Sequence, residues 1–223
     1  MLSAKMEDYL KAIYRLQRDG DGPVTTSALA DALDVTPPTA SSMLDTLEER
    51  GFVEREKYQG TRLTRDGETV ALEVIRHHRL LETYLTEQLG FDWTEVHDEA
   101  DRLEHHISEE FERRVAAALD DPVVDPHGDP IPSETLEPLD GTPGITLAEQ
   151  EPGDVVVVER VSDRDPEELS YLSKQGITPD QRVEVLDVAP IGMMTVRVDG
   201  DEVSLPDRVT EMIQVITVEE AEL

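Results

Sequence analysis

The N-terminal part of the chain is a series of short apolar patterns separated by turn signals. Residues 3–18, SAKMEDYLKAIYRLQR, place apolar side chains mainly at i, i+3 and i+4, which predicts an amphipathic helix. SALADALD and PTASSMLDTLEERG predict two more helices, the first capped by Thr25 or Thr26 and the second by Thr36 ahead of Pro37. FVEREKYQGTRLTRDGE then alternates as a β-hairpin does. This order predicts a winged helix-turn-helix, whose second helix would enter the DNA major groove.

The remainder of the chain predicts helices followed by strands. A long helix is predicted from after Gly67 to about residue 89, and another from about Asp92 to Leu119. Seven of the fourteen prolines lie within residues 122–152, which predicts a linker or extended loop rather than a packed element. DVVVVERV, QRVEVLDV, MMTVRVDG and DEVSLP then predict the short strands of a small barrel.

The predicted fold class is α+β, and the apolar pattern bears on the cellular location of the protein. The predicted boundaries are 1–65 for the winged helix-turn-helix, 66–121 for the helices, 122–152 for the linker and 153–223 for the barrel. No apolar run reaches the ~20 residues of a membrane helix, and the N-terminus carries no signal-peptide pattern. We therefore expect a soluble, cytoplasmic protein.

Charge is distributed unevenly along the chain. The net charge is -31, but residues 1–65 hold 9 basic and 11 acidic side chains, a net of only -2. A strongly acidic surface keeps a protein hydrated in concentrated salt, so the composition predicts a halophilic protein. The alternative is an acidic protein that binds basic partners. The nearly neutral N-terminal third remains compatible with DNA.

The second helix of the winged motif and its hairpin carry the candidate DNA contacts. Small donors on the helix can approach phosphates and base edges, while proline and alanine can lie against thymine methyl groups. Cations of the hairpin are suited to phosphate contacts. A merely polar surface is the alternative. The candidate positions are Thr36, Pro38, Thr39, Ala40, Ser41 and Ser42 on the helix, and Arg55, Lys57, Arg62 and Arg65 on the wing.

Histidines and carboxylates are concentrated in the helical segment. All six histidines lie between residues 77 and 127, and five of them between 77 and 106. His78 and Glu82 are spaced i, i+4, and a second face holds His97, Asp101, Glu104 and His105. Imidazoles and carboxylates on two facing helices would suit a divalent cation, whereas thiolate sites are excluded because the chain has no cysteine. The alternative is a solvated acidic helix with incidental histidines.

Three histidines fall outside these faces. We expect His77 and His106 to be structural or exposed, and His127, in the proline-rich segment, is left without a role.

Four motifs occur in the order MEDYLKAIY, RHHRLLETYL, VHDEADRLEHHIS and DPHGDPIP. With them the chain resembles, over nearly its whole length, the diphtheria-toxin-repressor family of iron- and manganese-dependent regulators. The resemblance implies a winged-helix domain, a helical dimerisation and metal-binding domain and, as in many members, a C-terminal SH3-like domain of the ferrous-transport type. It also implies a metal-dependent repressor of metal-uptake genes rather than an enzyme.

The resemblance also implies two metal sites. The primary site would be formed by Asp8, Asp101, Glu104 and His105, and the ancillary site by His78, Glu82 and His97. Iron-sensing members typically have Met and Cys at the first two primary positions. This chain has Asp at both, and hard carboxylates favour Mn²⁺ over Fe²⁺, which remains the alternative.

Two features of the chain bear on how many metal ions and metal ligands it has. Manganese-sensing members often have Glu where this chain has Lys11, so their closely spaced pair of metals is in doubt here. Asp165 and Glu168 have the spacing with which the SH3-like domain of iron-sensing members adds ligands.

Two other functions are compatible with the sequence. A winged-helix regulator with a purely structural metal remains an alternative function. So does a metalloenzyme using Glu104 as base, although the chain has no H-E-x-x-H, nucleophile or phosphate-loop motif.

We expect a homodimer on an imperfectly palindromic operator, because paired half-sites multiply affinity. Its apolar interface is predicted to include Leu85, Leu89, Val115 and Leu119.

Overall fold

A computed structural model describes residues 2–20, 22–56, 59–139, 144–163 and 165–218. The chain forms two compact units, each assembled from separate stretches of sequence. Unit 1 contains Met1–Leu80, Asp101–Ala118 and Ile131–Pro143, and unit 2 contains Leu81–Ala100, Leu119–Pro130 and Gly144–Leu223. In the described part of the chain, no helix is both long and apolar enough to cross a membrane.

The N-terminal elements of unit 1 have the order that the apolar pattern predicts. They are α1 (Ala4–Asp19), α2 (Thr26–Ala32), α3 (Pro37–Glu49), β1 (Val53–Glu56) and β2 (Gly60–Leu63), with β1 and β2 paired antiparallel. Thr25 accepts a hydrogen bond from the backbone N–H of Ala28, and Thr36 accepts one from that of Thr39, so both predicted N-caps form. The helices enclose one apolar core, which includes Leu10, Ile13, Leu29, Leu44 and Leu47.

The helical segment differs from the prediction in one place. The long helix α4 spans Arg65–Leu89, but the single helix predicted from Asp92 to Leu119 is wrong: α5 (Val96–Leu103) and α6 (Glu109–Ala118) are separate. Ser108 begins the second of these, because its carbonyl accepts from Glu112 N and its hydroxyl from Phe111 N. A serine at a helix N-cap satisfies amide groups that otherwise have no partner. Glu104 and His105 consequently lie in a turn and not on a helical face.

The C-terminal part of unit 2 is a six-stranded antiparallel sheet. A hydrophobic cluster rich in valine occupies its interior, because alternate strand residues face inward. The elements are β3 (Ile145–Thr146), β4 (Val155–Val161), α7 (Pro166–Lys174), β5 (Arg182–Ala189), β6 (Met193–Val198), β7 (Asp201–Pro206), α8 (Asp207–Thr210) and β8 (Ile213–Thr217). The strand order in the sheet is β3-β8-β4-β5-β6-β7.

Residues 125–132 of the proline-rich segment are packed rather than exposed to solvent, contrary to expectation. His127 is fully buried, and Asp129 and Ile131 are nearly so. The carbonyl of His127 accepts a hydrogen bond from Val161 N on β4. Gly128 has φ +87°, and a Cβ there would lie 2.0 Å from the carbonyl oxygen of Glu159. Only glycine permits this close approach of the loop to the strand.

The predicted dimer surface also needs correction. Leu85, Val115 and Leu119 are buried within the single chain, so they are not available to a partner. Leu89 is 57% exposed, and Phe91 and Phe111 are exposed as well. Large exposed apolar side chains are the kind that protein interfaces use.

Candidate functional site

The first group of candidate ligands, which we name the α1 cluster, consists of Asp8, Glu104 and His105 in unit 1. Asp8 Oδ1 lies 2.8 Å from His105 Nε2, and Glu104 Oε1 lies 3.3 Å from the same nitrogen. Glu7, which the sequence analysis did not select, lies 2.7 Å from His105 Nδ1. Adjacent acidic residues on α1 therefore contact both nitrogens of one imidazole. This arrangement joins the first helix of the DNA-binding motif to the turn after α5.

The charges in this cluster shift two pKa values. The hydrogen bond with Asp8 is the largest influence on His105, and with that of Glu7 it outweighs burial and raises the pKa of His105 to about 9. Burial acts to raise the pKa of Glu104, but His78 and the charge of Lys11 together lower it. His105 is therefore protonated at neutral pH in the metal-free protein, and binding of a metal to its nitrogen must release a proton.

Asp101, the fourth predicted primary ligand, contacts a different group of atoms. His78, Asp101 and Glu104 also offer ligand atoms that lie close together in unit 1. Lys11 Nζ lies among them, 2.7 Å from Glu104 Oε2 and 3.0 Å from Asp101 Oδ1. The structure thus places all four primary residues in one region, with Glu104 common to both groups.

The second group of candidate ligands, which we name the unit 2 cluster, surrounds Glu82 of α4. His97 Nδ1 lies 3.2 Å from Glu82 Oε1 and 2.9 Å from Asp163 Oδ2. His78, the third predicted ancillary residue, precedes Glu82 by one turn on the same helix. Asp163 lies just beyond β4, where the strand pattern predicted only packing and indicated no ligand.

His127 adds an unexpected candidate ligand to the unit 2 cluster. Its Nδ1 is buried 3.8 Å from Glu82 Oε2 and 4.0 Å from Asp125 Oδ1. Its Nε2 is fixed by the carbonyl of Trp93 at 2.8 Å. Among the described residues, Nδ1 has no hydrogen-bond partner. A buried imidazole nitrogen costs free energy unless it is satisfied, and a divalent cation would satisfy it.

The donor atoms of both clusters are of the kinds that bind divalent cations. Every candidate ligand atom is a carboxylate oxygen or an imidazole nitrogen, and the chain contains no cysteine. Such donors suit Mn²⁺ and also accept Fe²⁺. The backbone fixes the position of Asp125 as well, because its Oδ1 accepts hydrogen bonds from the amides of His127 and Asp129.

The alternative ligand pair in the C-terminal domain has structural partners. Asp165 is the N-cap of α7, where its Oδ1 accepts from the amides of Glu167 and Glu168. Glu168 Oε1 lies 2.8 Å from Arg208 Nε. Asp163, two residues before Asp165, is instead the acidic residue of this segment that contacts His97.

A buried ionic network contacts the backbone of Glu104, a residue of the α1 cluster. His77 Nδ1 lies 3.1 Å from the carbonyl oxygen of Glu104, and its Nε2 lies 3.1 Å from Glu112 Oε2. Arg76 Nε donates to Glu112 Oε1 at 2.5 Å. His77 is thus structural, and His106 is exposed, as the sequence predicts.

The candidate DNA surface is formed by the start of α3 and by the wing, β1 and β2. The hydroxyls of Thr36 and Thr39 lie 2.8 Å apart at the helix start. Ala40 is fully buried, so the predicted contact with a thymine methyl group is wrong. The remaining described candidates have surface to offer a ligand: Thr36, Pro38, Thr39, Ser42, Arg62 and Arg65 are exposed, and Ser41 and Arg55 are half-buried.

Two residues of the wing differ from the other candidates. Arg55 of β1 forms an ion pair with Asp45 of α3, a contact between the wing and the recognition helix. Lys57 lies outside the described residues.

Comparison with known protein families covers most of the chain. Residues 1–61 match the N-terminal DNA binding domain of iron dependent repressors, and residues 64–133 match their metal binding and dimerisation domain. Residues 145–217 match the FeoA domain, which is SH3-like. The predicted α+β architecture with a C-terminal SH3-like barrel is confirmed.

Individual proteins are similar over nearly their full length. The iron-dependent repressor IdeR of Mycobacterium tuberculosis is 33% identical over 221 residues, 94% of this chain and 95% of that protein. The diphtheria toxin repressor of Corynebacterium diphtheriae is 32% identical over 220 residues, with 94% and 95% covered. A solved manganese-dependent transcriptional repressor in complex with manganese superposes with a TM-score of 0.87 at 38% identity, covering 96% of this chain and all of that one. The manganese regulator SloR gives a TM-score of 0.79 at 30% identity, with 95% and 98% covered.

Proposed function

We propose that Mn²⁺ is the co-repressor of this chain, which belongs to the diphtheria-toxin-repressor family of metal-dependent, DNA-binding transcriptional repressors. Relatives of both manganese and iron type are similar to it, so the ligand set decides the proposal. Asp8 and Asp101 stand where softer sulfur ligands would favour Fe²⁺, and hard oxygen donors favour Mn²⁺. The metal-uptake genes of the cell are the proposed targets.

The observation that carries the proposal is the contact between Asp8 and His105. Asp8 belongs to the first helix of the DNA-binding motif, whereas Glu104 and His105 belong to the turn between α5 and α6. We assign the α1 cluster and Asp101 to the primary site, in which a bound divalent cation would supply positive charge shared by both segments. Asp8, Glu104 and His105 would then fix the orientation of α1. A ligand that binds the DNA-competent state better must, by linkage, be bound more tightly when DNA is present.

We assign the unit 2 cluster to a second metal site. Glu82 and His97 belong to the predicted ancillary set together with His78, and Asp163 and His127 extend it. The orphaned Nδ1 of His127 supports this assignment. Asp125 holds the loop so that this nitrogen stays near Glu82.

Operator DNA and a second copy of the chain are the partners expected of this family. We propose an imperfectly palindromic operator. We also propose domains at 1–65, at 66–121 and from residue 145 onward, because β3 pairs with β8 and the FeoA match begins at residue 145. A dimer should be seen as twice the chain mass by light scattering with Mn²⁺ in concentrated salt. A monomer under these conditions would contradict the proposed assembly.

The test is fluorescence anisotropy of labelled operator DNA with and without Mn²⁺. Coupling between metal and DNA is typically about 1–3 kcal/mol, so wild type should bind DNA ~5–150-fold more tightly with Mn²⁺. Asp8→Ala should keep basal binding but lose this response, whereas Asp98→Ala, an exposed carboxylate of α5, should keep it. If Mn²⁺ stabilises the fold of wild type without changing its DNA affinity, the metal is structural. If Asp8→Ala responds as wild type does, α1 is not part of the sensor.

A further inference from the structure

Lys11 lies where three side chains could themselves bind a cation. Its Nζ is 2.7 Å from Glu104 Oε2, 3.0 Å from Asp101 Oδ1 and 3.2 Å from His78 Nδ1. These three residues offer ligand atoms within 4.8 Å of one another, a spacing that suits one metal ion. The Lys11 side chain is only 7% exposed, so its ammonium is held by these partners and not by water.

Glu104 contacts two neighbouring positions with its two oxygens. Oε2 lies next to Lys11, whereas Oε1 lies 3.3 Å from His105 Nε2, on the side of Asp8. The Glu104 side chain is 1% exposed. A carboxylate this deeply buried needs positive charge nearby to remain ionised. One buried carboxylate therefore serves two adjacent cation positions, and the protein supplies its own cation at one of them.

We propose that Lys11 is a tethered cation that fills the position among His78, Asp101 and Glu104. The primary site of this chain, assigned above to Asp8, Asp101, Glu104 and His105, therefore holds one divalent ion rather than two. A second divalent ion would have to displace the ammonium, which would leave a buried charge without its partners, a costly arrangement. The inference rests on the proposed function only in that the α1 cluster binds metal.

The same contacts have a consequence for the metal-free protein. Lys11 belongs to α1, and its carboxylate partners belong to α5 and the turn that follows. The ammonium thus bridges these segments and offsets the repulsion between Asp101 and Glu104 when no metal is bound. Loss of the ammonium should loosen this junction in the presence of a chelator.

The experiment counts Mn²⁺ ions bound per chain by equilibrium dialysis at saturating Mn²⁺. Lys11→Glu should bind one ion more than wild type, and Lys11→Met, which adds no carboxylate, should gain the same ion with lower affinity. Lys5→Met, at an exposed lysine of the same helix, should bind the wild-type number.

Two readouts keep the inference separate from the proposed function. An unchanged ion count in both Lys11 variants, with wild type binding Mn²⁺, would overturn the tethered cation. Failure of wild type to bind Mn²⁺ would overturn the proposed function instead. In chelator, the Tm of Lys11→Met should fall below that of Lys5→Met, and equal values would contradict the bridging role of the ammonium.

Discussion

Arg55 of the wing forms an ion pair with Asp45 of the recognition helix α3. The side chain of Arg55 is 28% exposed and that of Asp45 is 61% exposed, so the pair lies at the surface. The contact holds a potential phosphate ligand against an acidic residue of the DNA-binding surface. If Arg55 contacts a phosphate of operator DNA, that phosphate must compete with Asp45 for the guanidinium.

Asp45→Asn should raise the affinity for operator DNA, because it releases Arg55 and removes a negative charge from the candidate DNA surface. Exposed ion pairs contribute about 0.2–1 kcal/mol, so the gain should be roughly 1.4–5-fold. Fluorescence anisotropy measures it, and the ratio of affinities with and without Mn²⁺ should not change. Glu48→Gln removes an equal charge from the same helix and is the control. An equal gain in the control would attribute the effect to net charge alone.

Arg62→Ala should weaken DNA binding to the same degree with and without Mn²⁺, because Arg62 is an exposed cation of β2 outside both metal clusters. The slope of log affinity against log salt should fall by about 0.9, the value for one lost phosphate contact. Arg182→Ala, at an exposed arginine of the C-terminal sheet, should leave the slope as it is. A loss seen only with Mn²⁺ would instead make Arg62 part of the metal response.

Local sequence signals were sufficient for the winged motif and failed where tertiary contacts decide. The caps Thr25 and Thr36 act within one helical turn, so their residue types alone predict where α2 and α3 begin. The break between α5 and α6 depends on Ser108 within an otherwise helical pattern. Glu104 faces inward at this break, where it contacts His78 and Lys11. These contacts could not be predicted from local patterns, because both partners are distant in sequence.

The role of His127 was not predictable from spacing, because its neighbours are distant in the chain. Glu82 lies on α4 and Trp93 lies in the following turn. Proline content indicated an extended segment here, but the segment buries its histidine and packs against β4. A histidine without a partner in its own motif can therefore still be a candidate ligand once the chain is folded.

The network around Glu112 should make stability depend on pH. Its hydrogen bond with His77 and then the contact with Arg76 lower the pKa of Glu112, against the effect of burial. Glu73 is a further acidic residue near this network, and its charge interacts with those of His77 and Glu112. Because the folded-state pKa is lowered, this stabilisation is complete above the unfolded carboxyl pKa of about 4.3 and is lost as pH falls through the folded value.

Glu112→Gln should therefore lower the free energy of unfolding at pH 7 by about 1–3 kcal/mol, since it leaves buried donors with a neutral partner. Its difference from wild type should shrink as pH falls below about 4. Denaturant unfolding in chelator measures both, with Glu109→Gln at an exposed position of α6 as the control. A difference that does not vary with pH would show that the charge of Glu112 does not contribute.

Folding should require salt, because the net charge of -31 repels itself when it is not screened. The Debye length grows from ~3 Å at 1 M to ~10 Å at 0.1 M ionic strength. Dialysis to low salt in chelator should reduce the helical circular dichroism signal, and Mn²⁺ should partly protect it by mass action. Full helical signal in dilute buffer without metal would refute salt adaptation.

Asp8→Met combined with Asp101→Cys should shift the metal preference of the primary site toward Fe²⁺. The two substitutions replace hard carboxylate oxygens by a thioether and a thiolate, which favour softer ions. We expect the ratio of Fe²⁺ to Mn²⁺ affinity to rise on the order of tenfold, about 1.4 kcal/mol. Anaerobic competition titrations monitored by operator binding measure this ratio. Asp98→Cys places a thiol on the same helix outside the clusters and should leave the ratio unchanged, because only a sulfur within the site can coordinate the ion. If the double variant keeps the wild-type ratio while still responding to metal, these two positions do not determine which ion the repressor senses.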